Sequence, residues 1–256
     1  MKEAGHHRWP GRVAGAIVEF IFPTRCICCD HIVEWGAPPL CDHCGQDLAP
    51  IEPPLCYRCG CSERVVGGFP GGGDLCASCV SFPPVYTEAR SCWSYEGPIL
   101  SAWPKVKYGK QEALIRDVAD LAREELVAQL GDWVELHGPL EIHPVPMHPS
   151  ALLKRGFHAP AKLIRHILKE PLPGVTLRQD VLVKKRRTAQ QAGLGRLARI
   201  KNLEGAFAAR SNLDGAVVVI FDDIFTTGAT ANHVATAALE AGASKTLVLT
   251  MARAQR

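Results

Sequence analysis

A chain of 256 residues is long enough to bury a full core and to hold two domains. Its composition, 47 % hydrophobic and 21 % charged, is that of a folded globular protein and excludes a disordered or fibrous chain. The net charge of +3 is too small to demand a polyanionic partner by itself, and no run of about 18 apolar residues is present to span a membrane.

The first segment has basic residues and a short apolar piece that carries Glu19 and lacks a small-residue cleavage site. It predicts an amphipathic helix from Gly11 to Phe22, not a signal peptide. Cysteines follow. Of eleven, eight form C-x-x-C pairs: Cys26/Cys29, Cys41/Cys44, Cys56/Cys59 and Cys76/Cys79. An odd total and strict two-residue gaps point to metal, not to a secreted disulfide framework, and so to a cytoplasmic chain.

Cys56-x2-Cys59-x16-Cys76-x2-Cys79 has zinc-ribbon spacing, and Cys26-x2-Cys29-x11-Cys41-x2-Cys44 is slightly shorter but of the same kind. Two tetrahedral four-cysteine sites holding one or two structural zinc ions are expected, although interleaved pairing fits the spacing as well. Cys28 and Cys61 lie beside ligands and are potential substitutes. Gly45, Gly60 and Asp30 follow second cysteines, where a knuckle turn asks for positive φ. The segment is rich in Pro and Gly, with few periodic apolar runs, and metal would supply the missing folding energy, on the order of 10–16 kcal/mol per structural zinc. Four thiolates close the coordination shell, which makes the module structural or docking, not catalytic.

After residue 85 the pattern changes, placing a domain boundary between 1–84 and 85–256. Residues 86–95 read as a strand, and 110–130 as a helix with Leu114, Val118 and Leu121 on one face. Residues 139–147 read as a strand entering a Pro-rich turn, and 158–169 as a helix with Ile164, Ile167 and Leu168 inward. A basic cluster follows: Lys184, Lys185, Arg186 and Arg187, then Arg196, Arg199 and Lys201, with Gln190 and Gln191 between. The unbroken β-branched run at 216–222 predicts a strand buried on both faces. A helix at 229–241, with Val234, Ala237, Ala238 and Ala241 on one stripe, and a strand at 245–251 complete the chain. Alternating strands and helices predict an α/β fold with a mainly parallel sheet flanked by helices.

The buried strand ends in Asp222-Asp223, and Thr226-Thr227-Gly228-Ala229-Thr230 then opens the helix. Ligands of open α/β sheets gather at the carboxyl ends of strands. The first amides of a helix lack internal partners and, with the dipole, make a phosphate seat. The two carboxylates suit sugar hydroxyls or a divalent cation beside that phosphate. The layout fits a ribose 5-phosphate.

From Val218 to Thr230 the chain resembles the phosphoribosyl-pyrophosphate (PRPP) motif of type I phosphoribosyltransferases: four apolar residues, Asp-Asp, two residues, Thr-Thr-Gly-x-Thr. The resemblance widens to the ComF (competence protein F) family, including its GntX-type members. Its carriers are FPTRCICC, the double ribbon, YEGPI, VKYGK at 106–110, PVPMHPSALLKRGFHAPAKLI at 144–164 and RRTAQQAGLGRLARIKNLEGAF at 186–207. The chain departs from it at His158-Ala159, usually Asn-Gln, and at Ile224-Phe225, usually Val-Leu.

The resemblance implies a phosphoribosyltransferase-type sheet after a double zinc ribbon. It also implies that Thr226, Thr227, Gly228, Ala229 and Thr230 cradle a 5-phosphate, and that Asp222 and Asp223 meet the ribose. Arg155 and Lys107 become candidate cations for pyrophosphate, bound with Mg²⁺. The basic cluster would clamp the same pyrophosphate, bind single-stranded DNA, or remain a solvated loop, with Trp93, Tyr95, Trp103 and Tyr108 as a candidate stacking platform. Three functions follow: a module of DNA uptake and natural competence acting with single-stranded DNA or a helicase-like partner, an active phosphoribosyltransferase transferring ribose 5-phosphate to a nitrogenous base, or a regulator that binds PRPP or a nucleotide without turnover.

Overall fold

The computed structural model describes residues 23–34, 39–62, 65–66, 73–108, 114–188 and 196–254. The helix expected at Gly11–Phe22 lies outside these residues, as do Gln190 and Gln191 and the side chains of Tyr108, Arg196 and Arg199.

The cysteine-rich half has little regular structure: α1 (Asp42–Gln46), β1 (Val65–Val66), β2 (Leu75–Cys76) and α2 (Ala77–Ser81). Its order comes from two four-cysteine clusters. Cys26, Cys29, Cys41 and Cys44 form one, and Cys56, Cys59, Cys76 and Cys79 the other, with the sulfurs of each within 4.8 Å of one another. Consecutive pairs therefore meet without interleaving, and Cys28 and Cys61 stay outside both sets. The Cys29–Cys41 and Cys59–Cys76 sulfur separations are both 3.7 Å. A tetrahedron of Zn–S bonds of about 2.3 Å has edges of about 3.8 Å, so the donor sets fit zinc.

Gly60 (φ 68°) and Asp30 (φ 64°) take the expected left-handed knuckle conformation. A Cβ on Gly60 would lie 2.5 Å from the Ala89 carbonyl oxygen, so the knuckle presses directly on the sheet domain. Gly45 departs from expectation, because it lies inside α1, where its amide bonds the Cys41 carbonyl at 2.8 Å.

The rest is a parallel sheet, ordered β3-β9-β8-β4-β5. Its strands are β3 (Glu88–Ser94), β4 (Leu140–Pro144), β5 (Val175–Leu177), β8 (Val217–Phe225) and β9 (Lys245–Arg253). On β8, Val219 and Phe221 join the core formed with α3 (Gly97–Tyr108), α4 (Leu114–His137) and α6 (Ala159–Ile167). Val218 and Ile220 join the opposite core with α8 (Ala229–Glu240), which also takes in the second cysteine cluster. Cover on both faces is why this strand reads as an unbroken apolar run. The remaining elements are α5 (Pro149–Arg155), α7 (Arg196–Leu203) and an antiparallel pair, β6 (Leu182–Lys184) with β7 (Phe207–Ala209).

The ribbon is joined to this sheet by backbone contacts. The amide of Ala89 donates to the Arg58 carbonyl at 2.7 Å, and that of Ser94 to the Ala49 carbonyl at 2.9 Å. Arg58 Nη1 donates to the Tyr86 and Thr87 carbonyls, each at 3.2 Å.

Because the ribbon has so little core apart from its thiolates, its order depends on metal. Dialysis against a strong chelator under reducing conditions is expected to release two equivalents of zinc, one per cluster, measured with a metallochromic dye. The thermal midpoint should fall by about 10 °C or more. A chain that releases no zinc and melts unchanged would contradict the four-cysteine sites.

Candidate functional site

Strand β8 delivers both carboxylates to the carboxyl edge of the sheet, and the structure treats them differently. Asp223 is 3 % exposed, whereas Asp222 is half-buried. The indole Nε1 of Trp103 donates to Asp223 Oδ2 at 2.7 Å, and the Lys107 ammonium pairs with the same oxygen. Both partners come from α3, an element the sequence reading left unassigned. Trp103 is 1 % exposed, so it cannot serve as a stacking surface; its role is to hold Asp223.

The electrostatics follow from the geometry. Burial and the adjacent Asp223 push the Asp222 carboxyl well above the usual carboxylate range. Burial acts on Asp223 in the same direction, but the Lys107 charge and the hydrogen bonds from its neighbours outweigh it and hold it below the usual value. Burial also pulls Lys107 down, and Asp223 with Asp222 more than restores it, so the ammonium stays charged.

These groups line a cavity of about 500 Å³. Its opposite wall is the turn from Val145 to His148 and the start of α5, the segment expected to face a pyrophosphate. Cations converge on it: Lys107 from α3, Lys154 and Arg155 from α5, and Lys184 and Arg187 from β6 and the turn after it. His158 caps α6, with Nδ1 accepting from the Ala161 amide at 3.1 Å and Nε2 donating to the Val145 carbonyl at 3.0 Å. This accounts for the departure at this position, since an asparagine would also cap the helix. Burial lowers the His158 pKa despite that carbonyl, so the ring is a neutral brace of the wall.

The basic cluster divides. Lys184 donates to Thr188 Oγ1 at 2.8 Å, lies 5.3 Å above the Phe207 ring and faces the cavity with Arg187. Arg186 donates to the Asn202 and Glu204 carbonyls at 3.1 and 2.5 Å. Lys185 is exposed. These four do not form one stripe.

The Thr-rich turn lies on the other side of Asp222. Gly228 caps α8 with φ 74°, and a Cβ there would come within 2.7 Å of Phe225 Cζ. Asp222, Thr226, Gly228 and Thr230 meet around a depression of about 20 Å³, roughly the room one water needs. Thr226, Thr227, Gly228 and Ala229 also border a separate cavity of about 290 Å³ between α8 and the second cysteine cluster. The turn itself is not part of the large cavity; Asp222 is the residue common to the large cavity and the depression. Local sequence carried no signal for the contributions of Trp103, Lys154, His148 and His158.

Residues 17–80 match the double zinc ribbon domain family. The chain is 28 % identical over 182 residues to the DNA utilization protein YhgH of Salmonella typhimurium, covering 70 % of this chain and 77 % of that one. The corresponding Escherichia coli K12 protein is 26 % identical over the same shares. Among solved structures, a Staphylococcus aureus hypoxanthine phosphoribosyltransferase aligns with a TM-score of 0.32 at 15 % identity, over 53 % of this chain and 62 % of the other. The Trypanosoma cruzi enzyme bound to its product IMP aligns with a TM-score of 0.33 at 16 % identity, over 53 % and 66 %. The chain thus spans somewhat under two thirds of those structures' lengths.

The unequal carboxylates have a measurable consequence. A buried acid whose folded pKa is raised destabilises the fold above that pKa, and the penalty disappears as pH falls below its unfolded value. Asp222→Asn keeps an oxygen for the Asp223 amide, now bonded at 2.9 Å. It should stabilise the protein by about 1 kcal/mol, or about 2–4 °C, at neutral pH, and by progressively less on acidification. Melting curves across pH check this, and a variant less stable than wild type at pH 7 would show that Asp222 is not strained.

Proposed function

We propose, from its ComF-like organisation of a double zinc ribbon ahead of a phosphoribosyltransferase-type sheet, that this chain binds PRPP or a closely related nucleotide in the service of DNA utilization. The observation that carries the reading is the large cavity. It places an acidic pair suited to sugar hydroxyls opposite Lys154, Arg155, Lys184 and Arg187, which suit a pyrophosphate. The Thr226–Thr230 turn is assigned to the 5-phosphate, with Asp222 reaching ribose hydroxyls between the two anionic ends.

We assign the half-buried Asp222 to a ligand-borne Mg²⁺, which would neutralise pyrophosphate charge. Arg155 and Lys107 supply protein cations for the same charge. The name carried by the relatives extends the proposal to DNA, with the exposed Lys185 and Arg186 as the phosphate contacts, and to a DNA-handling partner protein. The convergence of cations where a pyrophosphate would depart also favours a second reading, an active transferase in which a nitrogenous base attacks C1 of the sugar. Catalysis would then be positioning and charge stabilisation.

Titration calorimetry with PRPP and Mg²⁺ is expected to show binding that weakens at least about 100-fold in Asp222→Ala/Asp223→Ala. Unchanged affinity would remove the acidic pair from the site. Pyrophosphate release over a panel of nitrogenous bases separates transferase from binder.

For DNA, fluorescence anisotropy with a single-stranded oligonucleotide should give an affinity that falls with salt. Lys185→Ala/Arg186→Ala should weaken it severalfold and flatten the salt slope. Binding indifferent to both salt and these changes would count against a nucleic-acid role.

A further inference from the structure

Lys107 lies where the proposed ligand needs room. Its ammonium is on Asp223, inside the cavity assigned to sugar and pyrophosphate, and its side chain is only 20 % exposed. Trp103 supports the pair from beneath, with its indole donating to the same carboxylate oxygen and its ring 5.9 Å from the ammonium. Asp223 is therefore already paired and cannot receive a sugar hydroxyl on Oδ2 while Lys107 stays. Moving Lys107 away leaves a 97 %-buried carboxylate with only neutral partners, which is costly unless the ammonium gains another anion.

An anion on C1 of the proposed sugar ligand would supply that partner. Arg155 stands close enough to repel Lys107, and Arg155, Lys154 and Lys184 face the same space. We infer that Lys107 is a specificity-determining residue, whose ammonium passes from Asp223 to an anion on C1 of the bound sugar phosphate, so that the acidic pair opens only to ligands carrying such an anion. The inference rests on the site being a sugar-phosphate site and adds which members of that class it accepts. Sugar 5-phosphates that carry a second phosphoryl group on C1, as PRPP does, bind and ribose 5-phosphate alone binds poorly, because it must part Lys107 from Asp223 and offers no second anion in exchange. By linkage, pyrophosphate and ribose 5-phosphate, supplied as separate molecules, assist each other's binding.

Calorimetry on the full chain with Mg²⁺ tests this. Lys107→Gln, which removes the charge but keeps a donor for Asp223, should weaken PRPP and tighten ribose 5-phosphate, so that the ratio of their affinities falls at least about tenfold. Lys107→Arg should retain the ratio within about threefold. Equal weakening of both ligands in Lys107→Gln, or an unchanged ratio, overturns the inference and leaves the site assignment standing. Wild-type protein that binds neither ligand overturns both.

If Lys107→Gln does not fold, the wild-type chain decides. Saturating inorganic pyrophosphate should tighten ribose 5-phosphate at least about fivefold. Independent or mutually weakening binding of the two overturns the proposal.

Discussion

Two carboxylates side by side at the end of a strand buried on both faces form an unfavourable arrangement, and one lysine and one indole make it tenable. Asp223 is inside the protein because Trp103 and Lys107 meet it there. Asp222 lacks that ammonium, and its carboxyl is pushed toward its neutral form. The difference depends on α3 crossing the sheet edge so that its last two turns reach β8. Ile99, Ala102 and Val106 anchor that crossing in the core shared with α4 and α6. The packing of one short helix thus sets the charge state of the site.

The ribbon contributes to the same edge from the opposite face. Arg253, the last residue of β9, pairs in register with Phe225 of β8. Its guanidinium donates to the Cys59 carbonyl, approaches the Cys59 sulfur at 3.9 Å and lies 4.9 Å above the Phe225 ring. Phe225 meets Tyr86 edge-on at 6.3 Å and fills the space a side chain at Gly228 would take. Four thiolates around zinc carry net negative charge, which makes a buried arginine beside them tolerable. A continuous set of contacts therefore runs from the second cysteine cluster to the Thr-rich turn.

Parts of this were readable from the chain and parts were not, for physical reasons. The C-x-x-C pairs, the β8 run and the Asp-Asp/Thr-Thr-Gly turn are local patterns whose chemistry lies within a few residues, and each forms the predicted element. Helix α3 escaped because Pro104 interrupts its middle and its apolar face is only three turns long. Strands β5, β6 and β7 have three residues each, too few to show a period of two. Trp103 was misread as an exposed platform because its partner lies 120 residues away. The positive φ expected at Gly45 did not materialise, since only the first pair of each cluster uses a left-handed knuckle, at Asp30 and Gly60, while the second pair closes through a short helix, α1 or α2.

The two halves can be understood as answers to one difficulty. A turn built on a glycine with positive φ has no side chain at that position with which to hold itself in place. Here that support comes from Phe225, Tyr86 and Arg253, and Arg253 is fixed by a ribbon whose shape depends on sulfur donors instead of a large apolar core. Through Arg253 and Phe225 the ribbon packs against the back of the turn. At the front of the same sheet edge, Lys107 and the acidic pair face the cavity.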